Sequence, residues 1–267
     1  MYAFDYHKPT SLRQAASMLA KAEDAKILAG GHTLLPTMKQ RLAAPSSLID
    51  LGALAELQGI ERKGRSVVVG AMTTHAAVAS SDVVREAIPG LAEMAEMIGD
   101  PAVRTRGTIG GSVANNDPAA DYPAACLALA ATITTNKRKI EADDFFRGMF
   151  DTALEEGEII TKVSFPVPAK AAYAKFRNPA SRYALAGVFV AKRGSEIRVA
   201  VTGAGADGVF RWTAAEEALK TRFSAKSLAG MAADASMMNS DIHADAEYRA
   251  HLVGVMARRA VEAATTR

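Results

Sequence analysis

The chain of 267 residues contains a single cysteine, Cys126, and that scarcity removes several chemistries at once. One thiol forms no intrachain disulfide, holds no iron–sulfur cluster and builds no Cys-rich zinc site. It lies in Tyr122-Pro-Ala-Ala-Cys-Leu-Ala-Leu-Ala130, an apolar stretch that reads as a buried helix rather than the surroundings of a nucleophile. No charge of one sign prevails. Lys and Arg total 32 against 29 Asp and Glu, and a scattered net charge of +3 does not argue for nucleic acid. Long apolar runs are also missing: the most apolar window, 124–133, is far shorter than the roughly 20 residues of a membrane-crossing helix. Met1-Tyr-Ala-Phe-Asp-Tyr6 has no basic segment leading into an apolar one, so no signal peptide is expected and the expected location is cytoplasmic. His7, His32, His75, His243 and His251 show no metal spacing, and no G-x-S-x-G elbow, H-E-x-x-H or Walker lysine occurs. No catalytic residue and no metal ligand is assigned.

What remains is an ordinary globular composition, 49% hydrophobic and 23% charged, on a chain long enough for two or three subdomains. Two glycine pairs stand out, each closing an apolar run: Lys26-Ile-Leu-Ala-Gly-Gly-His-Thr-Leu-Leu-Pro36 and Arg106-Gly-Thr-Ile-Gly-Gly-Ser-Val-Ala-Asn115. A strand entering Gly-Gly can turn sharply, because glycine adopts positive φ freely, and successive N–H groups can then line an anion site. A helix that follows would add its N-terminal N–H groups and dipole. Two such loops are suited to gripping the two phosphates of a dinucleotide from opposite sides.

The pattern around them predicts elements. Ser11-Leu-Arg-Gln14 has capping-box form before a helical repeat, and Lys26–Ala29 and 47–51 read as strands around an amphipathic helix over 34–42, a βαβ unit. Val67–Val69 reads as a strand, 82–99 as two short helices broken at Pro89-Gly90, and 131–141 as a hairpin turning at Asn136-Lys137. After Pro166-Val-Pro168, residues 172–213 alternate as a short antiparallel sheet, and two Ala- and Met-rich helical stretches follow. Gly203-Ala-Gly-Ala-Asp-Gly208 matches G-x-G-x-x-G, but Val209–Thr213 after it alternates like a strand, so a hairpin loop is the better reading. His32 is either a loop residue capping a backbone group or a ligand contact. Asp117 and Asp121 either cap the helix beginning near Tyr122 or, for Asp121, accept hydrogen bonds from a ribose or adenine.

The motifs Ala29-Gly-Gly-His-Thr-Leu-Leu-Pro36 and Thr108-Ile-Gly-Gly111 resemble the paired flavin-binding motifs of the FAD-binding medium subunits of molybdenum hydroxylases, the family of carbon monoxide and xanthine dehydrogenases. The resemblance runs through Phe4–Pro9, Asn116–Asp121 and Phe176–Tyr183. It implies an α+β, PCMH-type fold: an N-terminal βαβ subdomain over 1–55, a second subdomain with a mixed or antiparallel sheet over 56–168, and a C-terminal antiparallel sheet with helices over 169–267. It further implies that Leu28, Ala29, Gly30, Gly31, His32, Thr33 and Leu34 wrap the FAD pyrophosphate, and that Thr108, Ile109, Gly110, Gly111 and Ser112 meet it from the neighbouring domain. Asp121 corresponds to an acidic residue at the adenosine end, Ile160 to an apolar residue beside the flavin, and Tyr183 to an aromatic near the isoalloxazine ring. From the residues alone Tyr183 also reads as a core tyrosine in a strand.

The implied partners are a small subunit with two [2Fe–2S] clusters and a large subunit with the molybdenum cofactor, in a dimer of heterotrimers. Electrons would pass from substrate at molybdenum through the clusters to FAD, and on to quinone, dioxygen or NAD. The alternatives are a self-contained flavin oxidoreductase, for which the residues after Pro168 leave little room for a substrate domain, and a non-catalytic nucleotide-binding or assembly protein.

Overall fold

The computed structural model describes residues 1–266 and contains three sheets of three or more strands, each with its own core. The first is parallel: β1 (Asp5–His7) and β2 (Ala25–Leu28) flank β3 (Ser47–Asp50), with Asp5 and Ala25 both in register with Ser47. Helices α1 (Leu12–Lys21) and α2 (Leu34–Lys39) make the connections that parallel strands require. Ser11 caps α1 by accepting from Gln14 N, and the Gln14 side chain accepts from Thr10 N, a capping box displaced by one residue. The three-residue β1, mostly exposed, carries no apolar alternation and was not expected from the sequence.

The second sheet is wholly antiparallel, in the order β4 (Ile60–Lys63), β5 (Ser66–Gly70), β10 (Ile160–Pro166), β6 (Thr132–Thr135), β7 (Lys139–Glu141). Between β5 and β6 run six short helices: α3 (His75–Ser80), α4 (Asp82–Ala87), α5 (Pro89–Glu96), α6 (Pro101–Arg106), α7 (Ile109–Asn115) and α8 (Tyr122–Ala128). Each break has a local cause. Ser81 and Asp100 cap new helices, and Pro occupies the first position of α5 and α6, where its missing N–H costs nothing. Cys126 is fully buried in α8, as expected, and burial pushes its thiol pKa up. A turn of helix, α9 (Ala142–Phe145), and a small hairpin of β8 (Phe146–Gly148) and β9 (Asp151–Thr152) close the unit.

The third sheet orders β11 (Lys170–Arg177), β12 (Ala184–Arg193), β13 (Glu196–Thr202) and β14 (Phe210–Arg211), all antiparallel. Helices α10 (Thr213–Thr221) and α11 (Ala246–Thr265) pack on it. Residues 184–191 of β12 are buried on both faces: Phe189 and Ala191 enter the core of the second unit, while Val188 and Val190 meet α11 and its neighbours. The expected polar alternation is therefore absent from β12, because the sheet is sandwiched rather than solvated on one side. The Gly203–Gly208 segment is the β13–β14 connection, a hairpin loop as read.

Glu158 fastens the β6–β7 turn to the strand that enters the site. Its carboxylate accepts from Arg138 Nε at 2.9 Å, Thr135 Oγ1 at 2.8 Å and Glu155 N at 2.8 Å, and the Arg138 bond leads the causes that hold its pKa at about 2. Because the folded pKa lies below the ordinary 4.5, this stabilisation is complete above that pH and disappears as pH falls toward 2. Glu158→Gln should lose about 1–3 kcal/mol at pH 7, read as a lowered thermal midpoint. The gap from the unmodified protein should close as the scans are repeated toward pH 2; a gap independent of pH would refute the assignment.

Candidate cofactor site

The first glycine segment leaves β2 and reaches α2 through Ala29–Thr33. Gly31 has φ +77°, a conformation that an L side chain rarely adopts, and its carbonyl accepts Leu35 N at 3.1 Å to open α2. Among the described residues, the N–H groups of Gly30, Gly31, His32 and Thr33 meet no protein acceptor. Four consecutive donors turned away from the protein's own acceptors suit an anion. His32 and Thr33 are exposed, and the His32 ring makes no hydrogen bond to the described residues, so it caps no backbone group.

The second glycine segment differs from its expected form. It does not follow a strand: α6 ends at Arg106, and Gly110 and Gly111 lie in the first turn of α7 with helical backbone. Thr108 caps that turn, its Oγ1 accepting Gly111 N at 3.1 Å. Ile109 N donates to Thr73 O and Gly110 N to Ala71 O, so the helix's first donors are spent within the protein. Positive φ is thus required at Gly31 and not at Gly111. Close approach requires glycine at 110, where a Cβ would lie 2.7 Å from the Ala71 carbonyl, whereas a Cβ on Gly111 would stand 3.0 Å from Thr108 Oγ1 and in ordinary contact, 3.6 Å, with the Ala29 Cβ.

The two segments touch. A Cβ on Gly30 would stand 2.3 Å from the Arg106 carbonyl and 2.8 Å from Gly107 Cα, so backbone lies directly on backbone. Behind this contact His75, at the start of α3, donates its N–H to Gly107 O and turns its ring beneath Gly107. Burial, then the nearby His32 and Arg104, lowers its pKa to about 4. Its Nδ1 and the Tyr122 hydroxyl are both buried without a partner, with ring centroids 5.3 Å apart.

A second wall stands past the end of α7. Asn116 takes a left-handed conformation there, and Asp117 Oδ1 accepts Ala119 N in a tight turn. Asp121 precedes α8 but its carboxylate does not cap the helix, which corrects that reading. It is 4% exposed, with one oxygen 2.9 Å from Lys175 Nζ and the other accepting the Tyr173 hydroxyl. Burial raises its pKa and the Lys175 ammonium opposes the rise. Tyr183 lies in the loop before β12, 46% exposed, and is not a core strand residue. Its hydroxyl pKa is raised by burial first and then by the charges of Asp117 and Asp121. Ile160 opens β10 and is buried, and its neighbour Thr161 accepts Ala71 N, tying β10 to the strand end that receives Gly110.

Sequence reasoning missed Lys175, Tyr173 and Arg249. Arg249, on α11, donates to Leu185 O at 2.9 Å and Gly203 O at 2.8 Å and pairs with Asp241. A lone cation within an apolar pattern carries no signal of which distant carboxylate it will meet.

A family model for the FAD binding domain in molybdopterin dehydrogenase matches residues 2–168, and one for the CO dehydrogenase flavoprotein C-terminal domain matches residues 171–264. The chain is 38% identical to the carbon monoxide dehydrogenase medium chain of Hydrogenophaga pseudoflava, over 99% of this chain and 98% of that one. It is also 38% identical to the nicotine 6-hydroxylase medium subunit of Paenarthrobacter nicotinovorans, with the same coverage of 99% and 98%. Reconstituted CO dehydrogenase from Oligotropha carboxidovorans superposes with a TM-score of 0.89 at 37% identity, covering 100% of this chain and 99% of that one.

The neutral, buried His75 gives the site an acid limit. Its folded pKa of about 4 lies below the ordinary 6.5, so the folded state binds fewer protons and stability falls as pH drops from 6.5 toward 4. Urea unfolding across that interval should show a loss of about 2–3 kcal/mol that His75→Gln largely abolishes. Equal slopes for the two proteins would mean that His75 charges without penalty.

Proposed function

The chain belongs to the family of FAD-binding medium subunits of molybdenum hydroxylases, and on that premise we propose which of its residues hold the cofactor and how it serves its complex. It is an oxidoreductase subunit, and FAD is its cofactor. The observation that carries the site assignment is the run of unpaired N–H groups from Gly30 to Thr33, pressed by Gly30 against the second glycine segment. Leu28–Leu34 wrap the pyrophosphate and supply the donors. Thr108–Ser112 close the opposite side by shape, since glycine there lets backbone approach within contact distance. Asp121 belongs to the wall at the adenosine end, Ile160 to the apolar surface beside the flavin, and Tyr183 to its aromatic edge.

These residues fit the cofactor's chemistry. A doubly charged pyrophosphate needs oriented donors, and a flat ring system needs apolar and aromatic surface. When bound, FAD takes up electrons arriving from [2Fe–2S] clusters on a small partner and releases them to quinone, dioxygen or NAD, while substrate is oxidised at molybdenum on a large partner. The chain's own part is to bind and orient. Its single cysteine cannot supply the thiolates of an iron–sulfur cluster, which supports placing the clusters on another chain. The reading is completed by a dimer of heterotrimers in the cytoplasm, with the chain divided at 1–55, 56–168 and 169–267. Relatives equally identical to it are named for carbon monoxide and for nicotine, which supports leaving the substrate to the large partner.

Two measurements test the reading. Purified chain should show flavin absorption, and Gly31→Val should reduce FAD affinity by about tenfold or more because its φ is forbidden to valine. Gly111→Val should do the same by filling the gap toward Ala29; stoichiometric FAD in both variants at unchanged affinity would refute the two-segment cradle. In anaerobic stopped-flow, aldehydes, carbon monoxide and N-heterocycles should leave the flavin of the isolated chain oxidised, and adding both partners should restore reduction. Rapid bleaching without partners would instead support a self-contained oxidoreductase.

A further inference from the structure

The wall that carries Tyr183 is held by a buried cation. Lys175, on β11, has 1% of its side chain exposed, and its ammonium lies 2.9 Å from Asp121 Oδ2 and 3.4 Å from the Met97 carbonyl. The other Asp121 oxygen accepts the Tyr173 hydroxyl. That hydroxyl is seated against Gly187 of the adjacent strand, where an added Cβ would lie 2.1 Å away. Lys175 and Tyr173 belong to the C-terminal sheet, whereas Asp121 and Met97 belong to the second unit. Removing one member of such a set leaves a buried charge or donor unpaired, so each holds the others in place.

Two residues beyond Lys175 the strand ends and the chain enters a tight loop. Asn178 Oδ1 accepts Ala180 N and Ser181 N, and Asn178 N donates to Tyr183 O at 2.7 Å. Arg182, at φ +63°, donates from Nη1 to the Gly99 carbonyl at 3.3 Å. The loop is therefore fastened to the 97–99 turn on both sides, by Lys175 as it begins and by Arg182 as it ends. Tyr183 follows immediately, its carbonyl held by Asn178 N across the loop.

We propose that Lys175 is a positioning residue of the cofactor site: paired with Asp121, it locks the C-terminal sheet onto the second unit and fixes where loop 178–183 presents Tyr183. The Asp121 carboxylate then acts as the counter-ion of Lys175 rather than as a direct acceptor for the adenosine. This rests on the FAD assignment and deepens it, because it names which buried group sets the geometry of the aromatic edge.

The test uses the full chain with FAD and reads affinity, flavin fluorescence, reduction potential and thermal midpoint. Lys175→Met should shift fluorescence and potential in the same direction as Tyr183→Ala, and combining the two should add little. Asp121→Asn together with Lys175→Met leaves no charge unpaired and should return both flavin readouts most of the way to the unmodified values. A Lys175→Met protein with a lower thermal midpoint but an unchanged flavin signature would make the pair merely structural and overturn the proposal. So would a double variant that binds FAD as weakly as Asp121→Asn alone, about tenfold below the unmodified protein, because the carboxylate would then touch the cofactor itself. If Lys175→Met does not fold, Tyr173→Phe decides the question: a smaller shift of the same sign is expected, and no shift overturns the proposal. Failure of the FAD assignment looks different, since the unmodified chain would then carry no flavin and both readings would fall together.

Discussion

The site depends on one close approach, that of Gly30 to the carbonyl of Arg106. With 2.3 Å between an ideal Cβ and that oxygen, no side chain fits between the two segments. The parallel three-stranded unit and the helical run of the second unit are thereby brought to direct backbone contact. Beside this contact the first segment turns with φ +77° at Gly31, and its N–H groups from Gly30 to Thr33 meet no protein acceptor among the described residues. Gly107 is drawn over His75, which remains neutral because it is covered. A single methyl at position 30 would force the two segments apart.

The C-terminal sheet depends on a different constraint, the double burial of β12. Because Phe189 enters the second unit's core and Val188 and Val190 meet α11, the sheet cannot slide without losing apolar contact on both faces. Polar ties refine that placement. Thr202 Oγ1 donates to the Ala120 carbonyl at 2.6 Å and Gly203 N to the Pro118 carbonyl at 2.8 Å, so the β13–β14 loop rests on the turn carrying Asp117. The segment whose glycines imitate a dinucleotide fingerprint thus supports the 117–121 turn from behind. Arg249 completes the support by holding Leu185 and Gly203 from α11.

Local chemistry was legible in the sequence, and long-range pairing was not. The Gly30-Gly31 turn, the break at Pro89, the hairpin at Asn136-Lys137 and the buried helix around Cys126 each follow from residues a few positions apart. β1 escaped notice because three exposed residues show no pattern until β3 pairs with them. Gly110-Gly111 looked like a second strand-to-helix turn, since Ile109 and the residues around it have no feature that distinguishes helix from strand over so short a run. Thr108 was the available clue, a hydroxyl three residues before Gly111 in the position of a helix cap. The pairing of Lys175 with Asp121 spans 54 positions and had no local signature.

Backbone strain around the second wall is held in place by side-chain bonds. Asn116, Phe150 and Arg182 all adopt positive φ, and each non-glycine residue there costs of order 1 kcal/mol. Such strain persists only where surrounding contacts over-determine it. Asn116 is held by its side-chain amide, which donates to Gly148 O at 2.7 Å and Asp151 O at 2.8 Å, while its carbonyl accepts Phe150 N. Arg182 is held between Asn178 and Gly99. Phe150 is tied to Asn116 at the start of the turn that leads to Asp121, and Arg182 immediately precedes Tyr183. Geometry is what these side-chain bonds hold in place.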